Sequence, residues 1–186
     1  MTADLRADAP IPPPGERAPF ARAATLVATY ETRRGPRVIL TRRPASLRRH
    51  PGQISFPGGM IEPTDRSPFA AAVREAREEI GLRLPPTIVP VSLTPVATLS
   101  SGIVIQPFWV RLPASPRLRR SSAEVAKILR IPLQDLRQPG TLRPIPHPHR
   151  PGELTPAYVW HGEIIWGATA RVLTELLALY PAAPRR

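Results

Sequence analysis

The sequence contains no cysteine, and Lys127 is its only lysine among 186 residues. The absence of cysteine excludes disulfides, thiolate zinc sites and a cysteine nucleophile, and it is consistent with a reducing compartment. No stretch approaches the roughly 20 apolar residues of a membrane span, and the N-terminus has no apolar signal core. We therefore expect a soluble cytoplasmic protein that does not act at a membrane.

Acidic residues are few beside the basic ones, 14 against 26, which gives a net charge of +12. Every basic residue except Lys127 is arginine, the side chain best suited to a bidentate grip on phosphate or carboxylate. An arginine-rich surface is either a habit of composition or the mark of an anionic partner, nucleic acid or a phosphorylated small molecule. The placement of the arginines must decide between them.

The overall composition is that of a globular protein, with 42% hydrophobic and 22% charged residues. Proline is the exception, because its 27 copies far exceed the usual share of roughly 5%. Residues 1–20 are proline-rich and carry little to bury, so we predict a flexible lead-in there. Residues 21–182 are predicted to form a single domain.

Within that domain the pattern predicts strands and helices in alternation. Short β-prone runs occupy residues 23–30, 38–41, 53–56, 91–99, 103–112, 158–161 and 164–165, with a further strand between helical turns in 124–136. A helix is predicted over 68–80, with Ser67 as N-cap and Gly81 at its end, and another over 167–180. Pro57-Gly58-Gly59 is predicted to be a loop, and 137–156 one long loop. A mixed β-sheet between helices, an α/β fold, is the expected architecture.

Three glutamates on the first predicted helix form the most informative cluster. Glu75, Glu78 and Glu79 are spaced i, i+3 and i+4, so their carboxylates share one face. Such crowding is tolerated when a cation lies among them, and oxygen ligands suit magnesium or manganese. A solvated face paired with Arg74 and Arg77 is the alternative. The glycine turn just upstream and the small residues of the helix favour the metal, because together they allow close approach.

The segment 58–82, GGMIEPTDRSPFAAAVREAREEIGL, resembles the Nudix box. Residues 74–82, REAREEIGL, fit its second half, with alanine in the first apolar position. The first half departs, because Asp65 stands where the general box has glutamate, and eight residues rather than seven separate it from Arg74. The coenzyme A pyrophosphatase branch of Nudix hydrolases has this longer, aspartate-containing form.

The preceding residues resemble the additional signature of that branch, L-T-x-R-[SA]-x3-R-x3-G-x3-F-P-G-G. Leu40-Thr41-Arg42-Arg43 leads with matching spacing through Arg48 and Gly52 to residues 56–59, FPGG. Pro44 stands where serine or alanine is usual, which affects the local loop. The chain is thus similar to coenzyme A pyrophosphatases from residue 40 to 82, and the similarity is weaker beyond residue 82.

This resemblance implies an α/β/α sandwich and hydrolysis of coenzyme A and its acyl derivatives to 3′,5′-ADP and 4′-phosphopantetheine. By position in the box, Glu75 and Glu79 are expected to be the principal Mg²⁺ or Mn²⁺ ligands, with Glu78 and the Gly59 carbonyl completing the shell. Glu78 and Glu124 are both candidates for the general base, and an exposed structural role for Glu124 is equally open. Arg74 is expected to orient a glutamate through a salt bridge.

The resemblance also gives the upstream arginines a role. Arg43 and Arg48 occupy motif positions and are expected to contact substrate phosphates, together with the backbone at Gly58 and Gly59. Arg42 and Arg49, at variable positions of the motif, are expected to be solvated surface residues. His147 and His149 lie in a proline-rich loop without a nearby carboxylate, which disfavours a metal site there.

Two alternatives stay open. Another nucleotide diphosphate, such as ADP-ribose or NADH, could be the substrate, because a fold does not fix its substrate. A basic nucleic-acid-binding protein without catalysis is the alternative of a different class, but an intact glutamate triad would hinder binding of a polyanion. We therefore expect a small-molecule substrate and no nucleic-acid partner, and a homodimer stays open.

Overall fold

A computed structural model of the chain describes residues 22–47, 50–98 and 102–180. The predicted flexible segment 1–20, Arg48 and the turn residues Ser100 and Ser101 lie outside the described residues. The strands are β1 Ala23–Tyr30, β2 Arg37–Arg42, β3 Ile54–Ser55, β4 Gly58–Met60, β5 Val91–Ser92, β6 Val96–Ala97, β7 Val104–Leu112, β8 Lys127–Pro132, β9 Leu142–Pro146, β10 Leu154–Trp160 and β11 Glu163–Trp166. The helices are α1 Pro68–Ile80, α2 Leu133–Leu136 and α3 Gly167–Leu179.

In the described part of the chain, eight strands form one mixed sheet. Its path is β3-β2-β1-β7-β5, and β4, β6 and β8 pair with β1, β7 and β2. The β1–β7 pair is parallel, with Ala23 opposite Ile105 and Tyr30 opposite Leu112, while the other pairs are antiparallel. A second, antiparallel sheet has the order β11-β10-β9.

Helices pack on both faces of the mixed sheet because the side chains of a strand alternate between faces. In β1, Ala24, Leu26 and Ala28 face α1 and pack with its buried alanines. Val27 points to the opposite face, where α3 and the smaller sheet complete a second core. The predicted α/β sandwich with a mixed sheet is confirmed, and this architecture holds α1 firmly beside β1 and β4.

The prediction of one long loop over 137–156 is wrong, because β9 and the first three residues of β10 lie there. The backbone N–H of His147 donates to Glu153 O (2.8 Å) and that of Val159 to Thr141 O (2.8 Å). Every second residue pair between these two is therefore a hydrogen-bonded pair. Pro146 faces Leu154 and Pro144 faces Pro156 at the alternate positions, where an antiparallel pair exchanges no hydrogen bonds. Proline is therefore tolerated in both strands.

The predicted single strand over 91–99 is interrupted, and β5 and β6 replace it. Pro95 lies between them and cannot donate to a ladder. The Thr94 N–H donates to both carboxylate oxygens of Glu175 (3.1 Å each), so this connection is tied to α3. Leu99, the last residue of the predicted strand, lies outside the described residues.

Candidate active site

Local sequence places α1 as predicted, from Pro68 to Ile80. Ser67 Oγ accepts a hydrogen bond from the Ala70 N–H (3.1 Å), and Gly81 ends the helix at φ 66°. The left-handed conformation favours glycine there. Along the helix, Glu78 is exposed, Glu75 is mostly covered and Glu79 is buried with 8% exposure. The three glutamates share a region of the surface but occupy very different environments.

Glu79 is the buried carboxylate of the site. The Gly58 N–H donates to its carboxylate, but its Oε2 has no hydrogen-bond partner within the described residues. Burial, followed by the charge of Glu75, raises the pKa of Glu79 to about 8, and the Gly58 N–H and the charge of Arg43 only partly offset this. An unpartnered buried carboxylate oxygen is costly in a native fold and is characteristic of a group that a ligand completes.

The two glycines beside this carboxylate form a strand, so the predicted loop at Pro57-Gly58-Gly59 is wrong for its last two residues. Gly58 and Gly59 begin β4, and Gly59 pairs with Ala24 of β1. A Cβ on Gly59 would lie 2.4 Å from Glu75 Oε1, and a Cβ on Gly58 would lie 2.3 Å from Ala24 O. At Gly58 a side chain would meet the backbone of β1, and at Gly59 it would displace the Glu75 carboxylate.

Arg74 provides the positive charge among the carboxylates. Its Nε and Nη2 donate to the two oxygens of Asp65 (3.1 and 3.0 Å), and Nη1 donates to Glu75 Oε1 (2.9 Å) and Glu78 Oε2 (3.4 Å). Nη2 also donates to the Met60 carbonyl (3.1 Å), which joins α1 to β4. The geometry matches the expectation that Arg74 orients a glutamate.

The hydrogen bonds between Arg74 and Asp65 make the stability of the fold depend on pH. The Arg74 guanidinium, helped by the Glu62 N–H, lowers the pKa of Asp65 below its ordinary 3.8. A depressed folded pKa stabilises the fold above the unfolded value, and this contribution disappears as the pH falls through the folded pKa. For Glu75 the direction is opposite, because burial raises its pKa more than Arg74 lowers it.

We predict that Arg74→Lys lowers the melting temperature at pH 7 by about 2–4 °C, because lysine keeps the charge but loses the bidentate fork to Asp65. The difference from wild type should shrink below the Asp65 pKa, where the carboxyl is protonated in both proteins. Thermal melts from pH 7 to pH 2.5 test this. Arg77→Lys, on the exposed side of the same helix, is the control. A difference that persists unchanged at pH 2.5 would contradict the prediction.

Arg43 and Glu124 are brought together at the edge of this cluster. Arg43 Nη2 donates to Glu124 Oε2 (3.0 Å), and the pair lies close enough to Glu79 for both charges to act on its pKa. The backbone places both residues, since the Arg43 N–H donates to Gln53 O (2.9 Å) and the Ser121 N–H to Glu79 O (2.9 Å). Sequence reasoning named both residues but missed their pairing, because 81 positions separate them.

Two other groups of side chains form no hydrogen bond with the glutamates of α1 among the contacts described. Arg42 donates to both oxygens of Glu163 (3.3 Å each), and Lys127 donates to the same carboxylate (2.9 Å), which fastens β11 to the main sheet. His147 Nδ1 accepts from the His149 N–H (3.1 Å), so a neutral His147 carries its proton on Nε2. That arrangement leaves this imidazole without a free lone pair for a metal.

No three His, Asp or Glu side chains converge as a closed metal-ligand set within residues 22–47, 50–98 and 102–180. Glu75 and Glu78 are held by Arg74, and of these three glutamates only Glu79 presents a buried oxygen without a partner among the described residues. The predicted ligand set of Glu75, Glu78, Glu79 and the Gly59 carbonyl therefore stays a prediction.

No helix in the described part of the chain is sufficiently long and apolar to traverse a bilayer.

The mixed sheet between helices, with glutamates of α1 beside a Gly-Gly strand, matches the fold of a known protein family. A family model for the NUDIX domain matches residues 19–151. The chain is 33% identical over 166 residues to NudL of Photorhabdus laumondii, an uncharacterised Nudix hydrolase, covering 89% of this chain and 88% of the relative. It is 31% identical over 157 residues to NudL of an Enterobacter species, covering 83% and 81%. The chain belongs to the Nudix family.

Solved structures support the same fold. The chain is similar to RenU, a Nudix hydrolase of M. smegmatis, with a TM-score of 0.54 and 21% identity over 89% of this chain and 90% of the other. A MutT/nudix family protein of Enterococcus faecalis gives a TM-score of 0.57 at 11% identity, covering 85% of this chain and 61% of that one. With the family established, the protein is a hydrolase of phosphorus-containing anhydrides that acts on a nucleoside diphosphate derivative.

Proposed function

We propose that the protein hydrolyses the diphosphate bond of coenzyme A and acyl-coenzyme A, with Mg²⁺ or Mn²⁺, to 3′,5′-ADP and (acyl-)4′-phosphopantetheine. The observation that carries the proposal is the buried carboxylate of Glu79, with its unpartnered Oε2, beside Glu75 and the Gly58–Gly59 backbone. The choice of coenzyme A rests on residues 40–59 and on the aspartate-containing box. The NudL relatives, at 31–34% identity, support the family and leave the substrate to experiment.

The donor set fits a hard divalent cation. Glu79 and Glu75 are assigned as the principal ligands, with the Gly59 carbonyl beside them and Glu78 joining when Arg74 releases it. The Glu75 carboxylate lies against the Gly59 backbone, where a Cβ would be 2.4 Å from its Oε1, an arrangement that a side chain would prevent. When bound, the cation would neutralise diphosphate oxygens and lower the pKa of a water molecule.

The protein's own groups have complementary tasks. Arg74 orients Glu75 through its 2.9 Å contact and separates it electrostatically from Glu78. Arg43 presents a cation to a substrate phosphate, and Arg48 is assigned to another phosphate by its motif position. Glu78, exposed at the end of this cluster, is the candidate general base on the helix.

An open groove along α1 with Phe69, Ala70 and Val73 in its wall offers apolar surface next to Glu78 for the uncharged part of a substrate.

Product analysis by mass spectrometry tests the proposal. Purified protein with Mg²⁺ is incubated in parallel with coenzyme A, acetyl-coenzyme A, ADP-ribose and NADH. Formation of 3′,5′-ADP and 4′-phosphopantetheine, with kcat/KM well above that for the other substrates, is expected. Preferential cleavage of ADP-ribose or NADH would keep the hydrolase and overturn the coenzyme A assignment.

Arg48 provides a sharper test of the substrate. We predict that Arg48→Ala raises KM for coenzyme A about 10-fold or more, because a charged hydrogen bond to phosphate is worth about 1.5–3 kcal/mol. KM for the form lacking the 3′-phosphate should change much less. Arg49→Ala, one residue further along, is the matched control and should affect both substrates little. Equal losses on both substrates in Arg48→Ala would contradict a role for Arg48 at the 3′-phosphate.

A further inference from the structure

Arg43 is only partly satisfied by its ion pair. Its Nη2 donates to Glu124 Oε2 at 3.0 Å, while its Nε is buried and has no hydrogen-bond partner within the described residues. Leaving a buried charged donor unpaired costs about 1–3 kcal/mol or more. A guanidinium held at one nitrogen, with another nitrogen unsatisfied, is prepared to bind an anion that is not part of the chain.

The backbone around Glu124 is fixed at both ends of segment 119–126. At one end, the N–H groups of Arg119 and Ser121 donate to Ile80 O (3.1 Å) and Glu79 O (2.9 Å), the carbonyls that end α1. At the other end, the Ala126 N–H donates to Arg42 O (2.8 Å). The segment therefore spans from the catalytic helix to the end of β2, with Glu124 between these attachments.

Local contacts hold the turn itself. The Glu124 N–H donates to Ser122 Oγ (3.0 Å), and the Val125 side chain is buried against the α1 face of the sheet. Glu124 thus extends from a rigid turn to a half-exposed position, and its carboxylate is engaged with Arg43. This geometry favours a carboxylate that holds a neighbour in place.

Two carboxylates compete for Arg43. Glu79 has a buried oxygen without a partner, and the charge of Arg43 already acts on it. Without Glu124, Arg43 would lose its only ion-pair partner within the described residues, and closing an Arg43–Glu79 pair instead would occupy both the cation assigned to an anion and the carboxylate assigned to a metal.

We propose that Glu124 is a positioning residue: it holds the Arg43 guanidinium away from Glu79, so that this guanidinium can bind a phosphoryl oxygen of the substrate. This inference rests on the proposed function, because it needs a diphosphate substrate at the Glu79 site. It assigns Glu124 a role other than that of general base.

The test compares Glu124→Gln, Glu124→Ala, Arg43→Gln and the double variant Glu124→Ala/Arg43→Gln. In Glu124→Ala we expect KM to rise about 5–20-fold, within the range of coupling between contacting residues. The Mg²⁺ concentration for half-maximal activity should also rise, while kcat stays within about 3-fold and the pH profile of kcat keeps its shape. Glu124→Gln, whose amide oxygen can still accept from Arg43, should restore most of the loss.

The double variant should be no worse than Arg43→Gln alone. Glu153→Gln is the control, because Glu153 pairs with Arg150 at 3.2 Å and has the same 56% exposure as Glu124. If Glu124→Gln lowers kcat by about two orders of magnitude and removes one limb of the pH profile, the proposal is overturned in favour of a general base. Additive effects of Glu124→Ala and Arg43→Gln, or changes no larger than those in Glu153→Gln, would also overturn it.

Binding of inorganic pyrophosphate with Mg²⁺, measured by calorimetry, separates this inference from the proposed function. Failure of the proposed function appears as no cleavage of any diphosphate tested, or as full activity in Glu79→Gln. Weaker pyrophosphate binding in Glu124→Ala and Arg43→Gln, without a further loss in the double variant, would still support the positioning role. Unchanged binding in both single variants would overturn it.

Discussion

Replacing Glu79 with Gln is expected to lower kcat/KM about a thousandfold or more while leaving the fold intact. The amide matches the carboxylate in shape but lacks the negative charge that a divalent cation requires, so transition-state stabilisation through that cation is lost. Removal of a single group that stabilises charge in a transition state typically costs 10²–10³ in rate. A principal metal ligand should cost at least that much.

In the absence of metal, Glu79→Gln should increase the stability of the protein at high pH, although it lowers the activity. The folded pKa of Glu79 is about 8 and its ordinary value is 4.5, so the charged form is disfavoured in the fold. In metal-free wild type, the free energy of unfolding should therefore fall as the pH rises from about 5 to 8, by an amount on the order of 4 kcal/mol. In Glu79→Gln this decline should be absent, and the variant should be the more stable protein at pH 8.5 in EDTA.

Adding Mg²⁺ should stabilise the wild type but not the variant. At 100 times its Kd, a ligand stabilises the folded state by about 2.7 kcal/mol, or roughly 5–10 °C in melting temperature for a chain of this size. Wild type should show this rise and Glu79→Gln should not. Glu163→Gln is the matched control, because Glu163 is also buried but pairs with Arg42 and Lys127 outside the carboxylate cluster. It should lose stability while keeping its kcat/KM and its response to Mg²⁺. A metal response in Glu79→Gln equal to that of wild type would contradict the assignment.

Local signals were sufficient to predict α1 completely. Ser67 and Gly81 mark its ends in the sequence, and both perform the capping expected of them. The strand β1 was equally predictable, because its apolar run from Ala23 to Tyr30 is buried almost throughout. In such cases short-range chemistry and tertiary burial point to the same structure.

Pairing between distant segments was not predictable from local signals. Proline normally interrupts strands, yet β9 and β10 place Pro144 opposite Pro156 at a position without hydrogen bonds, which depends on their mutual register. Gly58 and Gly59 have low strand propensity, and they form β4 because β1 supplies a partner. Local propensity is overridden when a neighbouring strand determines the backbone.

The candidate site also combines features that local sequence predicts with features that depend on the whole fold. The spacing of Glu75, Glu78 and Glu79 placed them on one face, but the depth at which each lies depends on the sheet beneath the helix. Burial distinguishes Glu79 from the exposed Glu78, although both are glutamates one residue apart. The Arg43–Glu124 pair joins two segments whose encounter is fixed by the whole sheet.

Adjacent glycines offer a test that separates chemistry from folding. Gly59→Ala is expected to lower kcat/KM by about 100-fold or more with a small loss of stability. The added Cβ would lie 2.4 Å from Glu75 Oε1, so this carboxylate must move. Because Glu75 is the end of a flexible side chain, it can move without disturbing the sheet, but it leaves the position assigned to a metal ligand. Displacement of a catalytic group by about 1 Å can cost 10²-fold in rate.

The same substitution one residue earlier should act on the fold. A Cβ on Gly58 would lie 2.3 Å from Ala24 O and 2.7 Å from Thr25 Cα, and these backbone atoms belong to a central strand. Gly58→Ala is therefore expected to destabilise the protein by about 3 kcal/mol or more, at the upper end of the cost of overpacking a core. Urea unfolding measures this loss, and kcat/KM of the folded fraction completes the comparison.

The contrast between the two variants is the informative result. A stable but inactive Gly59→Ala shows that the backbone at this position serves the carboxylate, since the fold itself can accommodate the methyl group. Equal destabilisation of both variants would mean that Gly59 is required only for strand pairing with Ala24. Full activity in Gly59→Ala would show that Glu75 can leave its place without cost, and the assignment of Glu75 as a principal metal ligand would then fail.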